Sequence, residues 1–532
     1  MAGGFVQYHE PSIVQILVII SFFLFLSLAE WLSARIIRAG IIGQIAVGII
    51  YGKPLADILE LEWQHTFIAL GYVGLILIIF EGGLGARIDL LKLNFVLSMI
   101  GAATGVCFPI GLSYLLLYLG FGYGAVETFI IGAALSATSL GTTFAVISSA
   151  SRTVDLGQTR VGSVLVSAAV IDDVVGLVMS SVISDLGRLN SGSSVNLGWL
   201  IGRPIVASVA MAIVTPIVTK YIFAPLFRKY IEYHFARYDH ISNLVLMILV
   251  LCAFISIAAY AGTSVLFGAF LAGTFLTYIP SKHPEAPFVV TSREEGEREA
   301  HKSPTFVHTF ERYLVDVQKY LMEPLFFASV GFAIPFVQLW TGMRIWRGVL
   351  FTLLMVFAKF IVGIWVIIWQ ALFNSKGRKQ LSRGQKKTQR KQPQDEESHT
   401  HEATTNSRDN DVSQTGSSEK QPPSQLKLSH KSTRTVWLSG LLLGSAMVAR
   451  GEIGLLIIEI GYSETSYVTE DGFITGVWAI LLNTIIGPVS VGLLVKAYGK
   501  RIGEGEWGLQ KAEGGKGADN NGHHAEGGES AA

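Results

Sequence analysis

Ala169-Val-Ile-Asp172-Asp173-Val-Val-Gly176 stands at the centre of residues 161–183, a stretch that is otherwise apolar and of the roughly 20-residue length that crosses a bilayer. Two neighbouring carboxylates at that depth cost at least about 5 kcal/mol on insertion scales if both are charged. A structural role would need only one, so the pair marks function. Successive residues of a helix point about 100° apart. One carboxylate can therefore meet a cation on a neighbouring helix while the other faces a cavity.

The rest of the chain has the composition of a membrane protein. Of 532 residues, 50% are hydrophobic and 15% charged, against about 25% charged in soluble proteins. A secreted or cytosolic enzyme is excluded on that ground. Basic and acidic residues balance at 41 and 40, so no nucleic-acid partner is expected. Cys107 and Cys252 both lie in apolar blocks, where neither a disulfide nor a thiolate metal site is expected. No Walker-type glycine loop is present, and no cofactor is called for. The first apolar run lacks a basic leader and a cleavage site, and reads as a retained span.

The apolar blocks give an all-α polytopic protein of about thirteen spans, centred near Phe23, Ile45, Leu75, Cys107, Thr138, Asp172, Ala210, Cys252, Leu271, Val330, Lys359, Met447 and Ile485. Lys and Arg accumulate in cytoplasmic loops. Placing the N-terminus outside or in a lumen, and the C-terminus in the cytoplasm, puts Arg35 with Arg38, Arg87 with Lys92, Arg152 with Arg160, and Lys496, Lys500 and Arg501 on one side. The transmembrane part then divides into 1–374 and 435–498. Between them, 375–434 is rich in Gln, Ser, Lys and Arg and reads as a disordered insert, as does the Gly-rich tail 499–532. The loop 280–319 carries an amphipathic stretch, 306–320, suited to a helix on the membrane surface.

Three more spans are polar at the depth of the aspartates. Lys359 falls at the middle of 349–371, Arg450-Gly-Glu452 breaks 436–460, and Ser136-Ala-Thr138-Ser139-Leu-Gly141-Thr142-Thr143 breaks 128–147. Hydroxyls can return their hydrogen bonds to the preceding turn, so the Ser/Thr run alone could be packing. The two breaks lie in the fifth and twelfth spans, an odd offset that gives them opposite directions through the membrane. Inverted repeats whose broken helices meet at the midplane are the architecture of secondary transporters.

These residues also carry a resemblance. Phe80-Glu81-Gly-Gly-Leu84, Ala137-Thr138-Ser139, Ala169 to Gly176, Gly268 to Gly273, Pro324 to Gly331, Lys359 to Gly363 and Arg450-Gly-Glu452-Ile-Gly454-Leu, taken in order from about Ile13 to Tyr498, resemble the second family of monovalent cation/proton antiporters, the paired-aspartate sodium/hydrogen exchangers. The resemblance implies a sodium/proton antiporter fold with crossed broken helices. It also implies a homodimer in membrane lipid, and a mobile core that moves the ion like an elevator. Asp173 matches the family's ion-binding aspartate, holding either a monovalent cation (Na+ or K+) or a proton. Asp172 matches the aspartate that pairs with Lys359. That pair forms when no cation is bound and breaks when one is, releasing a proton from Lys359. Thr138, Ser139 and the opened backbone near them complete the cation's oxygen shell. Arg450 and Glu452 stabilise the crossing, with Glu81 as the expected partner of Arg450. Two protons and one cation per cycle would make exchange electrogenic.

Two readings from other classes compete. An intramembrane aspartyl protease needs aspartates facing one another from different helices, whereas these are adjacent on one. A sodium-coupled organic-solute symporter of similar fold would not need Lys359 opposite Asp172.

Overall fold

The computed structural model describes residues 10–86, 94–139, 159–188, 197–230, 239–277, 306–389, 424–505 and 507–508, and every regular element among them is helical. That follows from the solvent. In hydrocarbon the backbone must satisfy its own donors and acceptors, which a helix does within one segment.

The chain begins with α1 (Ile13–Ile36), α2 (Gly40–Tyr51) and α3 (Leu61–Leu84). Then come α4 (Phe95–Ser113), drawn out by a π turn to Tyr118, α5 (Ala125–Ser136) and α6 (Arg160–Arg188). Next are α7 (Leu197–Val218), α8 (Asp239–Ala261), α9 (Val265–Thr277) and the short α10 (Phe306–Tyr313). The last are α11 (Glu323–Ala333), α12 (Gly342–Gln389), α13 (Ser424–Ala446), α14 (Glu452–Ser463) and α15 (Glu470–Gly503). Eight of the described helices are long and apolar enough to cross a membrane, and four apolar helices are shorter. Each of the thirteen expected centres falls in a helix or at a helix break. Lengths do not fix the number of crossings, because α5, α13 and α14 end or begin in mid-span. Leu24 and Phe25 on α1, Val206 and Ile213 on α7, and Ile248 and Leu249 on α8 are exposed, as side chains facing lipid would be.

Two packed groups matter for the site. α1, α2, α3 and α11 close around Phe22, Phe67 and Phe332, with the Phe22 and Phe67 rings stacked at 5.4 Å. α4, α6, α12, α13 and α15 close around Val164, Val362, Leu443, Met447 and Val491. Small residues let the second group approach at backbone distance. At Gly363 a Cβ would run into the Gly440 carbonyl across the α12/α13 contact, so that contact depends on glycine.

Three sequence expectations shift. The 375–434 insert is helical at both ends, since α12 runs on to Gln389 and α13 begins at Ser424; 390–423 lie outside the described residues. Its Lys, Gln and Arg content, which argued against a core, is compatible with helix. The tail starts later than 499: α15 continues to Gly503, and Trp507 is 1% exposed. The stretch 306–320 is not one surface helix, for α10 ends at Tyr313 with Phe306, Thr309 and Phe310 buried, and the Phe310 ring packs on Phe80 at 5.8 Å.

Candidate functional site

The site grows from two places where helix stops. α5 ends at Ser136, and Ala137 turns to extended backbone at φ −62° and ψ 136°. α13 ends at Ala446, and α14 restarts at Glu452 after Gly451, which is extended at φ −161°. The two opened segments cross and exchange hydrogen bonds. The Ser139 amide donates to the Ala449 carbonyl at 2.9 Å, and the Met447 carbonyl lies 3.4 Å from Thr138 Oγ1. α15 runs behind the crossing, where Thr484 Oγ1 donates to the Arg450 carbonyl at 3.1 Å. Residues 140–158 lie outside the described residues, so the remainder of the fifth span and its Gly141, Thr142 and Thr143 are not placed.

Breaking a helix leaves its last carbonyls without partners and concentrates partial negative charge there. Two cations answer it at the end of α5. Lys359 Nζ donates to the Ser136 carbonyl at 2.6 Å. Arg450 Nη1 donates to the Ala137 carbonyl at 2.7 Å and to the Ser136 carbonyl at 3.3 Å. At the opposite pole, Glu452 occupies the first turn of α14, where a carboxylate is favoured by the helix dipole.

Asp172 and Lys359 meet. Lys359 Nζ lies 2.9 Å from Asp172 Oδ2, with both side chains 0% exposed. Thr138 completes the knot: its hydroxyl donates to Asp172 Oδ2 and accepts from Lys359 Nζ at 3.0 Å. α4 leaves room for the lysine head at Gly105, where a Cβ would sit 3.3 Å from Nζ. Asp173 points elsewhere. It is 8% exposed, and its Oδ1, like the Oδ1 of Asp172, is buried with no hydrogen-bond partner. The adjacent carboxylates differ at the other oxygen: Asp172 Oδ2 is held by a lysine and a threonine, whereas Asp173 is in no ion pair among the described residues.

Two of the expected residues lie apart from the Asp172–Lys359 pair. Glu81 does not pair with Arg450; at the end of α3 it accepts from Gln318 Nε2 at 2.6 Å, while the Arg450 bonds go to the carbonyls freed by the break in α5. The Ser139 hydroxyl donates to Glu452 Oε2 at 3.3 Å, on the other side of the crossing. Glu459 was not singled out by sequence. It lies seven residues after Glu452, on the same face of α14, and its Oε2 is buried without a hydrogen-bond partner. A second acid, seven residues after Glu452 in an otherwise apolar half-helix, was the available signal. Among the described residues no group of three or more His, Cys, Asp or Glu is placed to hold a metal ion.

Comparison with known proteins places this geometry. The profile of a family described as sodium/hydrogen exchanger, transmembrane, matches residues 18–386. The chain is 25% identical over 340 residues to the probable Na+/H+ antiporter GerT of Bacillus cereus, covering 63% of this chain and 77% of the relative. It is 29% identical over 262 residues to the Na+/H+ antiporter of Enterococcus hirae, covering 48% and 63%. Its fold is similar to that of the sodium proton antiporter MjNhaP1 of Methanocaldococcus jannaschii, with a TM-score of 0.51 and 18% identity over 92% of this chain and 100% of the other.

Proposed function

The chain belongs to the sodium/hydrogen exchanger family, a family of transporters and not of enzymes, and from that premise we propose that it exchanges a monovalent cation, Na+ or K+, for protons at Asp173. The observation that carries this reading is the division of labour between neighbouring carboxylates: Asp172, 0% exposed, is tied through Oδ2 to Lys359 at 2.9 Å, and Asp173, 8% exposed, is in no ion pair among the described residues. Ionised, Asp173 offers oxygen to a hard cation; protonated, it does not. Cation and proton therefore exclude one another, and exchange follows from that exclusion.

The Asp172–Lys359 pair supplies the second proton. A cation at Asp173 brings positive charge close to the lysine and competes for the negative charge of the two carboxylates. Lys359 then leaves Asp172 and gives up a proton, and Thr138 turns its oxygen toward the cation. When the cation departs, Lys359 takes a proton back and the pair closes. More protons than cations move per cycle, so the exchange carries net charge. The crossing of the broken helices, locked by Arg450, travels as one body with the two aspartates and gives alternating access by an elevator-like movement against α1, α2, α3 and α11 in a homodimer. The Lys359 pairing favours this scheme over a solute symporter, and the Asp172–Asp173 adjacency supports the paired-aspartate branch of the family.

The test is exchange in liposomes. Proton movement is recorded on adding sodium, potassium or lithium in turn, with the membrane potential clamped at a series of values. Each charge moved is worth about 2.3 kcal/mol per 100 mV, so the rate should change steeply with potential. A rate indifferent to potential, at fixed pH gradient, would leave a one-for-one exchanger in which Lys359 only supports structure. No proton movement with any cation would remove the proposal.

A further inference from the structure

The helix that carries both aspartates does not complete its own beginning. An α-helix starts with four backbone amides that have no partner within it, and at α6 three of them, those of Arg160, Val161 and Gly162, find partners outside the helix ladder. Thr159 satisfies one: its hydroxyl accepts from the Gly162 amide at 3.1 Å, while its carbonyl opens the ladder by accepting from the Ser163 amide at 2.9 Å. The other two are satisfied from the far end of the chain. The Arg160 amide donates to the Gly508 carbonyl at 3.0 Å, and the Val161 amide donates to the Trp507 carbonyl at 3.1 Å.

Trp507 is fixed by its side chain as well. The indole is 1% exposed, packs in the same cluster as Val161, Val366 and Val436, and carries the Arg160 guanidinium over its ring at 4.7 Å. Its Nε1 donates to Gln370 Oε1 on α12 at 3.1 Å. One residue therefore links the start of α6 to α12.

The place of that link is informative. Val161 lies eleven residues before Asp172, and Gln370 lies eleven residues after Lys359. Eleven residues are close to three helical turns, so on each helix the two positions share a face and stand about 16 Å apart along the axis. α6 approaches the ion pair from the Trp507 link and α12 leaves the ion pair to reach it. The two helices are thus joined at two levels, by Asp172–Lys359 at the crossing and by Trp507 three turns away.

We propose that Trp507 is a positioning residue for the exchange, a bracket that sets the separation of α6 and α12 and through it the strength of the Asp172–Lys359 pair. The inference rests on the reading in which that pair opens when a cation binds. A loosened bracket lets the helices part and weakens the pair. The cation then competes against less, and binds more tightly, while its release, which needs the pair to close, slows. Loss of the bracket therefore lowers the apparent KM for the cation and the maximal rate together. A residue that only held the fold would lower the amount of active protein and leave KM where it was.

The measurement is sodium-dependent exchange by the full chain in liposomes, comparing wild type with Trp507→Ala, Trp507→Phe and Gln370→Leu. Trp507→Ala should lower the apparent KM by about threefold to tenfold, the equilibrium weight of one hydrogen bond, with a lower maximal rate. Trp507→Phe keeps a ring but loses the indole donor, and Gln370→Leu loses its acceptor. Both should shift KM in the same direction by less, and their combination should add little to either alone. If Trp507→Ala does not fold, the two milder variants decide the matter. An unchanged KM in folded variants of an active wild type overturns the bracket and leaves the exchange reading intact. A wild type that moves no protons with any cation overturns the exchange reading, and the bracket with it.

Discussion

Replacing Lys359 by glutamine removes the cation from an ion pair whose two side chains are both 0% exposed. The lysine head donates at 2.6 Å to Ser136, at 3.0 Å to Thr138 and at 2.9 Å to Asp172. At an effective dielectric of about 20, charges 2.9 Å apart attract by roughly 6 kcal/mol. Most of that gain is offset by desolvating two ions, at several kcal/mol each, so the intact pair is close to neutral for stability. Half of the pair is not. Lys359→Gln leaves Asp172 buried and unpaired, which costs about 3–5 kcal/mol, nearer the low figure because the Thr138 hydroxyl remains bonded to Oδ2. Asp172→Asn leaves the lysine charge stranded at a similar cost, eased by its bond to the Ser136 carbonyl. The double variant holds no unpaired charge, so it should be more stable than either single one, with a coupling of at least about 2 kcal/mol. Unfolding in mixed micelles, followed for all four proteins, measures this. Single effects that add to within about 0.5 kcal/mol would mean the two charges do not interact as drawn, and the pair could not serve as a switch.

Two other outcomes can be checked directly. Gly487→Ala would place a Cβ at 2.5 Å from the Ala449 amide nitrogen, which belongs to the crossing and cannot yield; it should cost about 1–3 kcal/mol and slow exchange. Gly82→Ala meets nothing within 4 Å and serves as the neutral control in the same unfolding and transport assays. Impermeant labelling of sealed cells should reach a tag placed before Glu10 and miss tags placed in 390–423 or after Ala532; protection of the N-terminal tag with the others as stated would mean one span has been miscounted.

What could be read in the sequence was set by the cost of burial. Asp172, Asp173, Lys359 and Arg450 stand out because a charge in an apolar run needs a reason, and all four lie at or beside the crossing. The breaks were legible as polar runs inside apolar blocks. Partners made of backbone were not: Arg450 was assigned a carboxylate, Glu81, because side chains are what a sequence displays, yet its bonds go to the carbonyls of Ser136 and Ala137. Ser139 follows Thr138 in the sequence, but in extended backbone successive side chains point to opposite sides, and its hydroxyl meets Glu452. Trp507 was passed over because its neighbours are glycine-rich. It is buried by what it contacts in α6 and α12, far away in sequence.

In the proposed exchange, Asp173 is the group where cation and proton exclude one another. Asp173→Asn keeps the shape and a hydrogen-bonding head but cannot ionise, and the Asp172–Lys359 pair does not depend on it. The direct measurement is cation-dependent proton movement in liposomes by this variant beside wild type, after both are shown to be folded and inserted in equal amounts. Wild type should move protons on addition of sodium or potassium, and Asp173→Asn should move none. Exchange by Asp173→Asn at the wild-type rate with saturating cation would contradict the assignment and place the ion elsewhere.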